Sequence, residues 1–172
     1  LLSLREARAS DIVSLQPLTD TILMLELKDG HVQYHQRGQP VSADKVITDP
    51  LDVARAAQPG SYRITSPDDP AYKDGVSPAA IGRKSKGVEF AWIRNGWANN
   101  RVVNTEPDHV KEHWIYLELP APMKPGSTYE VETGDLARNT GVSRLTYDPG
   151  KARSEAVHVN TLGYVPGAPE KY

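Results

Sequence analysis

Three groups of residues in this chain are of types that do chemistry. The first is an acidic loop, Ser66-Pro67-Asp68-Asp69-Pro70-Ala71-Tyr72-Lys73-Asp74-Gly75. The carboxylates of Asp68, Asp69 and Asp74, with loop carbonyls, are the hard oxygen donors that Ca2+ takes. The loop lacks a regular one-three-five oxygen spacing and Lys73 opposes a cation, so a solvated turn is the competing reading. Asp68 and Asp69 are adjacent and do not resemble an acid–base pair, because catalytic carboxylates face each other across a substrate. The second group is aromatic. Trp97 lies in the polar stretch Asn95-Gly96-Trp97-Ala98-Asn99-Asn100-Arg101. An exposed indole stacks on a sugar face while Asn95, Asn99 and Arg101 reach its hydroxyls, which makes these four a carbohydrate-binding set. Packing in the core or at an edge is the competing reading for Trp97, and the first reading for Trp92 and Trp114, which fall in alternating strands. The third group is histidine. His31 and His35, and again His109 and His113, are four apart, a metal-holding spacing on a helix. The first pair falls in an extended segment, where four residues span about 13 Å at about 3.3 Å each. The second straddles a loop and a strand start. Both pairs read as sheet or surface histidines.

Other chemistry is excluded or lacks a signature. The chain contains no cysteine, so it has no disulfide, thiolate zinc site, iron–sulfur cluster or cysteine nucleophile. There is no Gly-x-Ser-x-Gly, P-loop or dinucleotide glycine pattern, and no Ser/His/Asp set has local support in the sequence. Lys+Arg is 20 and Asp+Glu is 22, a net charge of −2. That balance, with Arg83-Lys84-Ser85-Lys86 as the longest basic stretch, argues against a nucleic-acid partner. No run of apolar residues is long enough for a membrane-spanning helix, and no membrane partner is expected.

The elements that must position these residues are short strands between turns. Thr21–Lys28 and His31–His35 flank Asp29-Gly30, a strong signal for a two-residue hairpin. That hairpin places Leu27 opposite Val32 and Leu25 opposite Tyr34, with Leu23, Leu25, Val32 and Tyr34 toward the core. Further strands are expected at Ser61–Thr65, Lys86–Ile93, His113–Leu119, Ser127–Thr133, Val142–Tyr147 and Ala156–Asn160. In His113–Leu119, the residues Ile115, Leu117 and Leu119 share one face. Asp49 is positioned to cap a short helix with Pro50 at its first position, running to Ala56. Ser77-Pro78-Ala79-Ala80-Ile81 reads as a single helical turn. About seven short strands with turn residues between them predict an all-β fold, an antiparallel immunoglobulin-like β-sandwich with one or two short helices.

The end of the chain, Ala156-Val157-His158-Val159-Asn160-Thr161-Leu162-Gly163-Tyr164-Val165-Pro166-Gly167-Ala168-Pro169-Glu170-Lys171, resembles the opening of the immunoglobulin-like module that precedes the catalytic domain of family 9 glycoside hydrolases, the cellulase-type enzymes. Val159, Asn160, Gly163, Tyr164, Pro166, Pro169 and Lys171 match its Val-Asn-Gln-x-Gly-Tyr-x-Pro pattern and the proline and lysine that follow, with Thr161 where the family has Gln. Leu119–Val131 is similar to the late strands of bacterial immunoglobulin-like domains. The resemblance implies a β-sandwich module over 1–153, then over 154–172 a linker and the first strand of a following immunoglobulin-like module. Val157 and Val159 of that strand would face an apolar surface, with His158 outward. The family's Asp-Ala-Gly-Asp motif is absent, so no catalytic residue carries over. The implied role is a non-catalytic accessory module of a secreted or periplasmic glycoside hydrolase acting on β-glucan-type polysaccharide, with the next domain of the same protein as partner. The alternatives are an independent carbohydrate-binding module using exposed Trp and polysaccharide as partner, and a small enzyme whose site has no signature. No cofactor is implied other than the Ca2+ of the acidic loop.

Overall fold

The strands follow from the apolar alternation. In the computed structural model, which describes residues 10–91, 97–102, 109–139 and 143–152, they are β1 (Asp11–Pro17), β2 (Ile22–Lys28), β3 (Gly30–Gln33), β4 (Lys45–Thr48), β5 (Arg63–Thr65), β6 (Ala80–Phe90), β7 (Trp97–Ala98), β8 (Arg101–Val102), β9 (His109–Glu118), β10 (Thr128–Glu132) and β11 (Arg144–Thr146). One α-helix, α1 (Val53–Ala56), separates β4 from β5. The strands form a four-stranded sheet in the order β1-β2-β9-β6, a three-stranded sheet β11-β10-β5, and the pairs β3-β4 and β7-β8. All of these pairings are antiparallel.

One apolar cluster joins the two larger sheets. Leu23 lies opposite Leu117 and Leu25 opposite Ile115, while Val131 lies opposite Ile64 in the other sheet. All six are fully buried, each contributing about 1.5–3 kcal/mol by leaving water. Tyr72 and Tyr129 meet edge to face at 5.2 Å in the same core. The mostly antiparallel β architecture agrees with the sequence and fits a β-sandwich. Leu23, Leu25, Val32, Ile115, Leu117 and Leu119 are buried as their alternation requires. The strand expected at Ala156–Asn160, with Val157, His158 and Val159, lies outside the described residues.

Four local expectations are corrected. Asp29-Gly30 is not a hairpin turn: β2 pairs with β1 and β9, and β3 pairs with β4. Leu27 therefore lies opposite Ile12 and His113, and Val32 opposite Val46. Tyr34 lies just past the end of β3 and is 55% exposed rather than in the core. The helix begins later than Asp49, with Asp52 as its cap accepting from the Arg55 backbone N–H; the Asp49 carboxylate instead takes Arg138 Nη1 at 2.8 Å. Ala80 and Ile81 open β6 rather than closing a helical turn, because β9 offers partners as far as Glu118.

At the β2–β3 corner the chain bends around a buried charge. Asp29 is 4% exposed. Its Oδ1 accepts from the Ser10 hydroxyl at 2.9 Å, from the Leu51 backbone N–H at 2.9 Å, and lies 3.0 Å from His113 Nε2. Its backbone is held as well: Asp29 N donates to the Lys111 carbonyl, and Asp49 N donates to the Asp29 carbonyl. Gly30 follows because β4 passes so close that an added Cβ would sit 2.0 Å from the Ile47 oxygen. The β3–β4 ribbon then packs through Val32 and Val46 on Val88, Ala91 and Val110. Glu89 ties it to the main sheet by accepting from the Val32 N–H at 2.7 Å while pairing with Lys28.

Burial alone would raise the pKa of Asp29, but the hydrogen bonds from His113, Leu51 and Ser10 outweigh it and hold the carboxyl below the ordinary aspartate value. A lowered native pKa contributes stability that is complete above the unfolded value of about 4 and is lost as pH falls through the native value. Asp29→Ala leaves buried donors unpaired and is expected to cost about 3 kcal/mol or more in urea unfolding. Asp29→Asn keeps the shape without the titration, so its stability should vary less between pH 5 and pH 2 than that of the wild type. Parallel acid-unfolding curves for the two would contradict the assignment.

Candidate functional site

The loop between β3 and β4 builds a polar cleft. Gln33 and Lys45 pair at the mouth of the ribbon, and residues 34–44 fold back on themselves. The Gln36 N–H donates to Gln39 Oε1 at 2.9 Å, and the Gln39 N–H donates to the Gln36 carbonyl at 2.9 Å. Gly38, at φ +91°, supplies the left-handed residue this turn requires. Pro40 leads into a single 3-10 turn, Val41–Ala43. Asp44 closes the loop: its Oδ1 accepts from the His35 backbone N–H at 2.6 Å and lies 2.8 Å from His35 Nδ1. A carboxylate only accepts, so Nδ1 carries the proton.

The result is a cleft of about 450 Å3 lined by Gln33, Tyr34, Gln36, Gln39, Ser42 and Asp44, among others. Tyr34 places a large ring at the surface beside side-chain amides. An amide offers a donor and an acceptor a short distance apart, as vicinal hydroxyls of a sugar do in reverse, and an aromatic ring covers the apolar face of a pyranose. The loop's own hydrogen bonds fix the turn before any ligand arrives, which lowers the entropy lost on binding.

The residues singled out from sequence are distributed differently. Asp68 Oδ2 accepts from the Thr128 N–H at 3.1 Å. Asp69 is fully buried, with Oδ2 accepting from the Tyr129 hydroxyl at 2.7 Å and Oδ1 beside Lys124 Nζ at 3.1 Å. Burial opposes ionisation of Asp69, but Tyr129 and Lys124 outweigh it and lower its pKa; burial and the neighbouring Asp69 push the Tyr129 phenol up to about 12. Asp74 contributes its carbonyl, which accepts from Arg63 Nη2 at 3.0 Å. The acidic loop thus serves as a joint between β5 and β10. Among the described residues no group of three or more His, Asp or Glu side chains is gathered for a metal.

Asn95 and Trp92 lie outside the described residues, and of Trp97 and Arg101 only the backbone is described. That backbone is a tight hairpin rather than an open loop: Trp97 pairs with Val102 and Ala98 with Arg101. Asn99 and Asn100 form its exposed turn at φ 52° and 63°. Trp114 lies under Lys84, with Nζ 4.7 Å from the ring centre. His109 and His113 both belong to β9, yet they serve different contacts: His109 stacks on Phe90 at 5.5 Å, and His113 meets Asp29.

Two features are not given by the local pattern. Alternation places Tyr34 on the core face, whereas the structure exposes it. Ser85, His113 and Asp29 form a hydrogen-bonded line although they lie on three separate strands or corners, with Ser85 Oγ 2.8 Å from His113 Nδ1.

The chain matches no family model, no curated protein and no solved structure.

For Ca2+ to bind Asp69, it must displace both Lys124 and the Tyr129 hydroxyl. Adding Ca2+ to chelator-treated protein is therefore expected to leave the thermal midpoint unchanged. A midpoint that rises with Ca2+ concentration, as binding to the native state requires, would restore the acidic loop as a metal site.

Proposed function

We propose that this chain is an accessory module of a secreted or periplasmic glycoside hydrolase, an immunoglobulin-like β-sandwich that contacts β-glucan-type polysaccharide without cleaving it. The observation that carries this reading is the exposed Tyr34 ring at a polar cleft whose lining includes Gln33, Gln36 and Gln39 together with Asp44 and Lys45. Glutamine amides and a tyrosine ring suit a hydroxyl-rich ligand, and the carboxylate of Asp44 and the ammonium of Lys45 leave the lining without a net charge. Two antiparallel sheets over one core are in keeping with it. So is the Val159-Asn160-x-x-Gly163-Tyr164-x-Pro166 pattern, which resembles the start of the module before a cellulase-type catalytic domain. The partner on this reading is the following domain of the same protein.

Binding is expected to be weak, with Kd near about 1 mM, or about −4 kcal/mol. In native gels containing soluble β-glucan, the protein should be retarded. Tyr34→Ala should raise Kd by about tenfold, equivalent to about 1.4 kcal/mol. If Trp97→Ala abolishes retardation and Tyr34→Ala does not, the contact moves to the β7–β8 hairpin. The accessory role has its own readout: the reading frame beyond Tyr172 should encode a long helical domain containing Asp-Ala-Gly-Asp, and a frame without one would overturn that role.

A further inference from the structure

Ser85, His113 and Asp29 have an order of burial and hydrogen bonding that a sugar-contacting module does not need. We propose that Ser85 is an activated nucleophile toward acyl esters, with His113 as its general base and Asp29 as the group that orients and charges the base.

The proton positions follow from the donors. Asp29 Oδ1 already takes the Ser10 hydroxyl and the Leu51 N–H, and an ionised carboxylate can only accept. His113 Nε2, 3.0 Å away, must therefore carry hydrogen. In the neutral ring the lone pair is then on Nδ1, and Nδ1 lies 2.8 Å from Ser85 Oγ. Arg83 Nη1 donates to that same oxygen. A guanidinium has no acceptor, so the one proton of Ser85 is directed at the base. His113 is 2% and Asp29 4% exposed, while Ser85 is exposed. A buried base behind an exposed hydroxyl is the arrangement of general-base-activated serine.

Access agrees with it. Ser85 lies on β6, an edge of the four-stranded sheet, so an ester can approach from the side that carries no strand among the described residues. The Arg83 guanidinium donates to Ser85 Oγ itself and so orients the nucleophile, while the negative charge of the tetrahedral intermediate develops on the ester carbonyl oxygen. Ser85 Oγ attacks the ester carbonyl carbon as its proton passes to His113 Nδ1. The tetrahedral intermediate collapses, the alkoxide leaves and takes that proton, and acyl-Ser85 remains. Water then attacks the acyl carbon and gives its proton to His113. Breaking the Ser85–acyl bond returns that proton to Oγ and releases the carboxylic acid. One ester and one water become one acid and one alcohol.

The test is labelling of the whole chain with a fluorophosphonate probe, the modified residue located by peptide mass spectrometry, together with p-nitrophenyl acetate hydrolysis. Ser85 should be the labelled residue. Ser85→Ala should remove the label and reduce hydrolysis at least about 100-fold, the range general-base catalysis supplies, while the protein stays folded at the assay temperature; the thermal midpoint falls because buried His113 Nδ1 loses its partner. His113→Gln should slow labelling to a similar extent. If His113→Gln fails to fold, the Ser85→Ala comparison decides alone. An unlabelled Ser85, or hydrolysis that survives Ser85→Ala, would overturn the proposal and leave the Ser85–His113 contact as a hydrogen bond of the fold only.

Discussion

A charged carboxylate with almost no access to water has to be surrounded by donors, and at Asp29 those donors come from distant parts of the chain. Ser10 precedes β1, Leu51 precedes α1, and His113 lies in β9. Left unpaired, the charge would cost several kcal/mol, so these segments must arrive together. The corner where Asp29 sits is also the point at which the chain leaves the four-stranded sheet for the β3–β4 ribbon. The direction of that ribbon, and with it the position of the Tyr34 cleft, depends on this one group and on the close passage of β4 past Gly30.

What could be read from the sequence was what depends on near neighbours. The alternation in Leu23, Leu25, Ile115 and Leu117 was enough to place them inside, because a strand has only two faces. Asp29-Gly30 misled for the same reason. It is a local turn signal, yet Met24 on the opposite face of β2 is buried too, and a strand buried on both faces belongs in the middle of a sheet rather than at a hairpin edge. Asp49 before Pro50 fits the local pattern of a helix cap, yet the helix starts at Val53 with Asp52 as its cap. The Asp49 carboxylate instead accepts from Arg138, 89 residues away, a contact that no local pattern announces. Ser85 and His113 are 28 residues apart, and His113 and Asp29 are 84 apart; no spacing rule connects them.

The two sites therefore differ in how they are made. The Tyr34 cleft is closed by bonds between residues three and nine apart, Gln36 to Gln39 and His35 to Asp44. Its shape is a property of the loop, and its attachment to the rest is the small cluster around Val32 and Val110. The Ser85 line exists only when three remote segments have folded against each other. Changes within residues 34–44 can alter the cleft with little effect on the main core, whereas changes around His113 act on the core directly.

The long edge of β6 has a further consequence. Its 11 residues leave a row of backbone donors and acceptors without a neighbouring strand among the described residues, the usual template for unwanted pairing between copies. Arg83, Lys84 and Lys86 lie along that row. Two such edges meeting antiparallel would bring positive side chains opposite one another, where like charges repel. The basic stretch thus sets like charges against pairing through that edge.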